Sequence, residues 1–347
     1  MPGKIRSMLR SAGNQLLYSG LTALVVFGAV EGAFRIAGYN RPATVESMAF
    51  TFPIDDYNRD APVPFLQRDD VLFWKPRPLV LGHNSRGVFG PEFKDAKDPR
   101  QFRIVALGDS CTHFGPDPYP QRLQAMLDTE RPGRFDVINA GVIGYSSFQG
   151  LTRLKHEVSG WGPDLVTVYF GWNDHWLARG YPDREQLAAR GVLDRLRRAL
   201  DRLRFYQWLE SVFARRPSLQ TAVQYRVSLT DYADNLREMK RAADGMGARL
   251  WLITAPHALD LGIPPYLATS GEVADMAGLI ALHGRYNDQV RAVARETGAT
   301  LVDLDRLIGS MDKTGLFIDD HIHLSDTGKT LAAQTLLAAM KEQRLIR

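Results

Sequence analysis

Short apolar runs alternate with longer amphipathic stretches from Phe102 to the end of the chain. The apolar runs predict five strands, which are Arg103–Leu107, Asp136–Asn139, Leu165–Phe170, Arg249–Thr254 and Thr300–Val302. The stretches whose apolar residues recur every three or four positions predict five helices, near Tyr119–Thr129, Ser147–Ser159, Leu229–Met246, Ala281–Thr297 and Asp326–Gln343, the last with Ser325 as its N-cap. Strands that alternate with such helices are typical of a parallel sheet with helices on both faces. The pattern therefore predicts an α/β domain over residues 101–347.

A long stretch between the third and fourth predicted strands interrupts the alternation. From Arg184 to Arg216 the sequence is rich in arginine, and four leucines have the spacing of an amphipathic helix, namely Leu193, Leu196, Leu200 and Leu203. We predict a helical insertion over about residues 176–226. Its apolar stripe could simply cover the core, or the helix could form a lid over a substrate pocket or a basic face on anionic lipid.

The first 40 residues have a different pattern, that of a membrane segment. Lys4, Arg6 and Arg10 precede a stretch from Ser11 to Val30 that has no charged residue. This length approaches the roughly 20 residues that a membrane-spanning helix needs. Basic residues ahead of such a helix favour a cytoplasmic amino terminus and a carboxyl-terminal domain that is periplasmic or extracellular.

Three interpretations of this segment compete. A cleaved signal peptide needs a small-residue cleavage site, and Ala29-Val30-Glu31 is a poor one. A buried core helix would stand far from the α/β pattern that follows. We therefore favour an uncleaved, single-pass signal anchor over residues 1–40, with Glu31 and Arg35 one turn apart and able to form an ion pair.

Residues 41–100 join the anchor to the α/β domain. They are rich in proline, aspartate and arginine, and they show little periodicity. We predict a linker and wrapping segment with short strands near Val71–Trp74 and Gly87–Phe89. The aromatic residues of this segment are expected to pack against the domain.

The composition is that of an ordinary globular protein, with 45% hydrophobic and 24% charged residues among 347. It argues against wholesale disorder. The formal net charge of +4 is mild, and no nucleic-acid-binding motif accompanies it, so nucleic acid is not an expected partner. The one cysteine, Cys111, excludes an internal disulfide and a cysteine-based zinc cluster.

Ser110 is the first candidate for chemistry because it follows the first predicted strand of the α/β domain. Catalytic groups in open α/β sheets lie just beyond the carboxyl ends of the strands. Asp320 and His323 stand three residues apart, just before the last predicted helix, so the carboxylate can accept a hydrogen bond from one ring nitrogen of the histidine. The other ring nitrogen would then face Ser110 and take its proton.

Acyl transfer also needs hydrogen-bond donors for the oxyanion that develops on the substrate. Gly141 lies in the turn after the second strand, where its backbone amide can approach a substrate. Asn173 follows the third strand and offers a side-chain amide, and the backbone amide of Ser110 is a third donor. All these groups fall at predicted carboxyl ends, and this convergence supports an acyl-transfer site more strongly than any one motif.

Two other interpretations of these residues are open from the sequence. Cys111 is a conceivable rival nucleophile, although a small residue that packs beside the strand end is the simpler interpretation. Asp319, Asp320, His321 and His323 could instead ligate a metal ion. Alternating residues on an extended stretch point to opposite faces, which disfavours such a site.

Four short motifs occur in order along the chain. They are Gly108-Asp109-Ser110, Asn139-Ala140-Gly141, Gly171-Trp172-Asn173-Asp174 and Asp320-His321-Ile322-His323. In order and spacing they resemble the four blocks of the SGNH/GDSL hydrolase family, over roughly Phe102 to Arg347. The amino-terminal anchor and the proline-rich segment resemble the bacterial membrane-anchored members of that family.

This resemblance implies a three-layer α/β/α sandwich of the flavodoxin-like type and the hydrolysis of an ester. It implies that Ser110 is the nucleophile, His323 the base and Asp320 the acid behind it. The amides of Ser110 and Gly141 and the side chain of Asn173 would form the oxyanion hole. The family typically uses neither a metal nor an organic cofactor, so none is expected here.

We interpret the sequence as a membrane-anchored serine esterase or deacylase. The expected substrate is a small ester, such as an O-acetyl or short acyl group on an envelope glycan or lipid, cleaved through an acyl-enzyme intermediate. An O-acetyltransferase of envelope polysaccharide that uses the same serine is the alternative. A catalytically silent envelope binding protein is a third hypothesis, which the intact Ser110, Asp320 and His323 disfavour.

Deletion of residues 1–40 should release the protein from membranes, because it removes the whole predicted anchor. The measurement is the distribution of full-length and truncated protein between membrane and soluble fractions after a high-salt wash, which removes proteins held by charge alone. Truncated protein that still sediments with washed membranes would show that the anchor lies elsewhere in the chain.

Overall fold

The computed structural model describes residues 2–39, 65–69, 71–113, 115, 117–178, 182–188, 200, 203–213, 224–270 and 273–346. Its strands are β1 (Leu66–Asp69), β2 (Phe73–Pro76), β3 (Phe102–Gly108), β4 (Phe135–Gly141), β5 (Leu165–Tyr169), β6 (Arg249–Ile253) and β7 (Thr300–Val302). Its α-helices are α1 (Pro2–Ile36), α2 (Ser110–His113), α3 (Tyr119–Glu130), α4 (Ser147–His156), α5 (Asp183–Ala188), α6 (Arg204–Phe213), α7 (Leu229–Gly245), α8 (Pro265–Ser270), α9 (Leu279–Thr297), α10 (Leu304–Gly309) and α11 (Asp326–Glu342).

Five of the strands form one parallel sheet in the order β4-β3-β5-β6-β7. This confirms the predicted sheet, and every predicted strand end lies within two residues of the observed one. The chain enters the sheet at β3, adds β4 on one side and then crosses to β5 on the other side. The strand order therefore reverses at β3, and ligand sites in open sheets lie beyond the carboxyl ends at such a switch point.

Alternate residues of each strand face opposite sides of the sheet, and both sides are covered by helices. Val105 and Leu107 of β3 share one buried cluster with α4, α7 and α9. Ile104 and Ala106 share the other with α3 and α11. A strand that is buried on both faces reads as a continuous apolar run, as β3 does. The predicted three-layer α/β/α sandwich is therefore confirmed.

The helix predictions succeeded where the periodic pattern is long. The five predicted helices correspond to α3, α4, α7, α9 and α11, and the Ser325 hydroxyl caps α11 by accepting the Gly328 amide at 3.2 Å. Helices α2, α8 and α10 were not predicted. Each has only four to six residues, which is too short for a 3.6-residue periodicity to become visible.

The described part of the 41–100 segment packs into the core through its aromatic residues, as predicted. Trp74 Nε1 donates to the carbonyl of Ile143 at 3.0 Å, and the Tyr145 hydroxyl donates to the carbonyl of Trp74 at 2.6 Å. β2 begins two residues later than the sequence indicates because the Asp69 carboxylate accepts the amides of residues 71 and 72 in a turn. Residues 87–89 form no strand; Gly87 and Val88 hydrogen-bond to Asn84, and Phe89 makes isolated bridges to His83 and Asn139. Residues 41–64 lie outside the described residues.

The chain divides into two compact units. Residues 45–187 and 219–347 form the first, called the catalytic unit because it contains the parallel sheet and the candidate residues Ser110, Asn173, Asp320 and His323. Residues 1–44 and 188–218 form the second, called the anchor unit because it contains the predicted anchor, and α1 and α6 therefore belong to the same unit. Of the leucines that predicted the insertion helix, Leu193 and Leu196 lie outside the described residues.

Helix α1 is long and apolar enough to cross a membrane. Its segment Tyr18–Ile36 has a mean hydropathy of 1.4, and almost all of it is exposed. A signal sequence near the amino terminus would satisfy the same criterion. The predicted ion pair is present, with Arg35 Nε 2.7 Å from Glu31 Oε1.

Candidate active site

Ser110 begins the one-turn helix α2, two residues after β3 ends. The turn between them needs a glycine at position 108, because a Cβ there would lie 2.8 Å from the carbonyl oxygen of Tyr169 and would overlap the side chain of Thr112. The Asp109 carboxylate then accepts the Cys111 amide at 2.8 Å, and the Asp109 carbonyl accepts the His113 amide at 3.0 Å. These bonds fix the turn that carries the serine.

The structure brings Ser110, His323 and Asp320 into one hydrogen-bonded chain. His323 Nε2 lies 2.7 Å from Ser110 Oγ, and His323 Nδ1 lies 2.5 Å from Asp320 Oδ2. Ser110 and His323 are 213 positions apart in sequence, and both are buried. The chain runs through Asp320 and His323, the two residues that the sequence spacing paired.

A tight loop before α11 holds the acid and the histidine. Asp320 Oδ1 accepts the backbone amides of Ile322 at 2.9 Å and His323 at 2.8 Å. Burial alone would raise the pKa of Asp320, but the hydrogen bonds from the His323 ring and from these amides outweigh burial and lower it. At neutral pH the group is therefore a carboxylate, which can orient an imidazole and stabilise its protonated form.

Asn173 is held by Asp109, a contact that the sequence analysis did not anticipate. Asn173 Nδ2 donates to Asp109 Oδ2 at 3.1 Å, and both side chains are buried. The second N–H of the same amide group remains for another acceptor. Burial raises the pKa of Asp109 to about 6, although the amide of Cys111 and His323 oppose the rise. The middle residue of Gly-Asp-Ser was the available signal for this role.

The amide of Gly141 is not available as an oxyanion donor in this structure. It donates to the side-chain oxygen of Asn139 at 3.0 Å, while Asn139 Nδ2 donates to the carbonyl of Thr112 at 3.1 Å. Gly141 has a different function in the fold, because a Cβ there would lie 2.9 Å from the His113 amide nitrogen. The glycine allows α2 to pack closely against β4. This corrects the amide role expected for Gly141.

Gly144, three residues further along, has an amide that meets no acceptor among the residues that the structure describes. The carbonyl of Ile143 accepts Trp74 Nε1 at 3.0 Å. Because the carbonyl and the N–H of a trans peptide point in opposite directions, the Gly144 amide is directed away from Trp74. The Ser110 amide likewise has no acceptor within the described part of the chain.

A buried network fixes the loop that carries Gly144. Arg226 Nη1 donates to the Gly144 carbonyl at 2.8 Å, and Arg226 Nη2 pairs with Asp183 Oδ2 at 2.8 Å. The same guanidinium donates to Gln149, and the Ser146 hydroxyl donates to Asp183 at 2.6 Å. A buried ion pair is tolerated when further hydrogen bonds satisfy both partners, as they do here. The Trp74 bond thus holds the peptide that precedes Gly144, and the Arg226 bond holds the peptide that follows it.

Asp174, which directly follows Asn173, ties the loop after β5 to the start of α4. Its Oδ1 accepts the Ser147 amide at 2.9 Å and the Ser147 hydroxyl at 2.5 Å. Burial raises the pKa of Asp174 to about 7. The Asp174 carboxylate holds the loop that carries Asn173 against α4, and it makes no hydrogen bond to Ser110 or His323 among the described residues.

The remaining candidates have other contacts. Burial raises the pKa of the Cys111 thiol, so the thiolate that a nucleophile requires is disfavoured. His321 Nδ1 lies 2.5 Å from the carbonyl of Gly262, away from the Ser110–His323 chain. Over the described ranges, no three His, Cys, Asp or Glu side chains are grouped so as to hold a metal ion.

Among known proteins, one family model matches most of the chain. The sequence model of the GDSL-like lipase/acylhydrolase family matches residues 106–331. A lipase/acylhydrolase from Enterococcus faecalis is 17% identical, with a TM-score of 0.48 over 70% of this chain and 97% of that one. An acetylxylan esterase from Geobacillus stearothermophilus is 17% identical, with a TM-score of 0.43 over 68% of this chain and 93% of that one. No curated protein matches the chain.

The raised pKa of Asp109 predicts how the free energy of unfolding depends on pH. The ordinary value of 3.8 rises to about 6 in the folded protein, so the folded state keeps this proton to a higher pH than the unfolded chain. The protonated Asp109 therefore contributes to the free energy of unfolding below about pH 4, and this contribution is lost as the pH rises to about 6. A shift of about two pKa units corresponds to a loss of about 3 kcal/mol.

Urea unfolding of the wild type and of Asp109→Asn across this pH window measures the effect. The wild type should lose stability relative to the variant by that amount as the pH rises. Asp128→Asn, which removes an exposed carboxyl on α3, is the matched control for the loss of one carboxyl group. A constant difference between wild type and Asp109→Asn would contradict the raised pKa.

Proposed function

Because a family model matches most of its length, the chain belongs to the GDSL-like lipase/acylhydrolase family of ester-hydrolysing enzymes, and we propose that Ser110 is its nucleophile. The observation that carries this proposal is the hydrogen-bonded chain from Ser110 Oγ through His323 to Asp320, with contacts of 2.7 Å and 2.5 Å. A nucleophile, a base and a group that orients the base are the parts that acyl transfer needs.

In the proposed mechanism, Ser110 Oγ attacks the ester carbonyl while its proton passes to His323 Nε2. Asp320 accepts the hydrogen bond from Nδ1–H and stabilises the imidazolium that forms. His323 then gives the proton to the departing alkoxide, which leaves an acyl group on Ser110. Water, deprotonated by His323, attacks this acyl-enzyme and releases the acid and the free serine.

We assign the oxyanion donors to the amides of Ser110 and Gly144 and to the side chain of Asn173. Two observations support Gly144 in place of Gly141: its amide is unpaired among the described residues, and the peptides before and after it are held by Trp74 and Arg226. Asp109 orients Asn173 and leaves one of its N–H groups for the substrate. Donors that are fixed before the reaction stabilise the developing charge without a reorganisation cost.

We further propose that the enzyme is anchored in the membrane by α1, with the amino terminus in the cytoplasm and the catalytic unit outside. The apolar length of Tyr18–Ile36 and the basic residues before it support this topology. Small esters of the cell envelope, such as O-acetyl or short acyl groups on a glycan or lipid, are then the substrates within reach.

Ser110→Ala and His323→Ala should each lower kcat for a short-chain aryl ester by about 10⁴-fold or more, since each removes half of the nucleophile–base pair. Burst kinetics and covalent labelling by a fluorophosphonate give independent readouts, and both should be lost in Ser110→Ala. His321→Asn is the matched control on the same loop, because asparagine tolerates the positive φ of this position. Full activity in both test variants would exclude the mechanism.

Asn173→Ala should lower kcat by about 10²–10³-fold with a smaller change in KM, because the lost donor acts mainly in the transition state. Trp74→Phe removes the bond that fixes the Ile143–Gly144 peptide and should also lower kcat. An unchanged kcat in Asn173→Ala would contradict the role of Asn173 as an oxyanion donor. An unchanged kcat in Trp74→Phe would contradict the role of the Gly144 amide.

A series of esters from acetyl to long acyl chains, tested with and without an added glycan acceptor, identifies the acyl length. It also separates hydrolysis from transfer. Release of free acid that is unaffected by the acceptor supports the esterase, whereas transfer to the glycan at the expense of hydrolysis would support the acetyltransferase.

A further inference from the structure

The anchor unit contains a carboxylate in an unusual position. Glu31 lies within the apolar segment Tyr18–Ile36 of α1, five residues before its end, and its side chain is buried. Charged groups in a membrane-spanning helix are costly and persist where they are paired. The partners of Glu31 therefore indicate what this part of the helix does.

Glu31 caps the amino terminus of α6. Its Oε1 accepts the amide of Arg204 at 3.0 Å, and its Oε2 accepts the amide of Phe205 at 3.0 Å. These are the first two residues of α6, whose amides have no partner within the helix. The positive end of the helix dipole also favours the carboxylate, and Arg35 adds a third donor at 2.7 Å.

Aromatic side chains strengthen the same contact. Phe34 of α1 lies 6.0 Å from Phe205 and 5.7 Å from Trp208, measured between ring centroids, and Phe27 lies 5.6 Å from Phe205. Tryptophan and other aromatic residues concentrate where a membrane meets water. Ile36 is about 7.5 Å beyond Glu31 at 1.5 Å per residue, so Glu31 and Phe34 lie near the outer end of the apolar segment, and Phe27 lies closer to its middle.

The net charge of the chain is concentrated in the same unit. Residues 188–218 contain eight arginines against three acidic residues, a formal charge of +5, which exceeds the +4 of the whole protein. Positive charge beside an amphipathic, aromatic helix is the composition of a segment that lies on anionic lipid. It does not fit the expectation for a helix that only covers a hydrophobic core.

We propose that α1 remains part of the mature protein and that α6, capped by Glu31, is a second membrane contact that lies on anionic phospholipids at the outer bilayer surface. A cleaved α1 would leave the first amides of α6 without the Glu31 cap. This inference rests on the proposed membrane location, but it is independent of the proposed hydrolytic chemistry.

Fluorescence of Trp208 tests the proposal in full-length protein reconstituted into phosphatidylcholine vesicles with and without phosphatidylglycerol. The other five tryptophans are buried, so the difference between wild type and Trp208→Phe isolates Trp208. Brominated lipids should quench Trp208, more strongly with bromines near the headgroup than near the chain end. Quenching should increase when phosphatidylglycerol is present.

Glu31→Ala should reduce the quenching of Trp208 by roughly two-fold or more, because it removes the cap that holds α6. Thr22→Ala is the matched control on α1. It removes the hydrogen bond from its hydroxyl to the carbonyl of Tyr18 but leaves the Glu31 cap of α6 in place, so the quenching should stay unchanged. Intact mass of the membrane-extracted protein should include residues 1–36.

Three results would each overturn the proposal: no lipid quenching of Trp208, unchanged quenching in Glu31→Ala, or a mature protein that lacks α1. The first also covers the case in which a second copy of the chain, and not lipid, covers α6. Aryl-ester hydrolysis measured in the same vesicles separates this test from the chemistry. A vesicle-bound protein that is inactive would contradict only the proposed esterase.

Discussion

The parallel pairing of β3 with β4 and β5 is the constraint on which the candidate site depends. Gly108, the last residue of β3, lies opposite Gly141 on one side and Tyr169 on the other. A side chain at Gly108 or Gly141 would collide with a neighbouring strand or with α2. The two glycines therefore let α2 pack against the sheet. Because Ser110 is the first residue of α2, the position of this helix determines the position of Ser110.

The carboxyl groups near the carboxyl edge of the sheet have different pKa values because their surroundings differ. Hydrogen bonds from His323 lower the pKa of Asp320, which keeps it ionised beside the imidazole. Asp109 and Asp174 are fully buried, and burial raises the pKa of both. In the proposed mechanism, the ionised group supports proton transfer, while the two buried groups hold the loops that carry Ser110 and Asn173.

The two units have separate physical requirements. The catalytic unit depends on a close-packed sheet and on exact hydrogen-bond partners at its carboxyl edge, whereas α1 presents an apolar surface that suits lipid. Glu31 is the link within the anchor unit, since it joins two segments that are more than 150 positions apart in sequence. Under the proposed function, the membrane contacts lie in one part of the chain and the chemistry in another.

The sequence by itself determined the five-stranded parallel sheet, its main helices and the motifs that carry Ser110, Asn173, Asp320 and His323. Local periodicity and the common edge of a parallel sheet are sufficient for these inferences. Only the tertiary structure decided which backbone amides of the described residues are free: the Asn139 side chain accepts that of Gly141, while Trp74 and Arg226 hold the peptides before and after Gly144. It also decided that Glu31 accepts the amides of Arg204 and Phe205. Such pairings join residues distant in sequence, and local propensity carries no information about them.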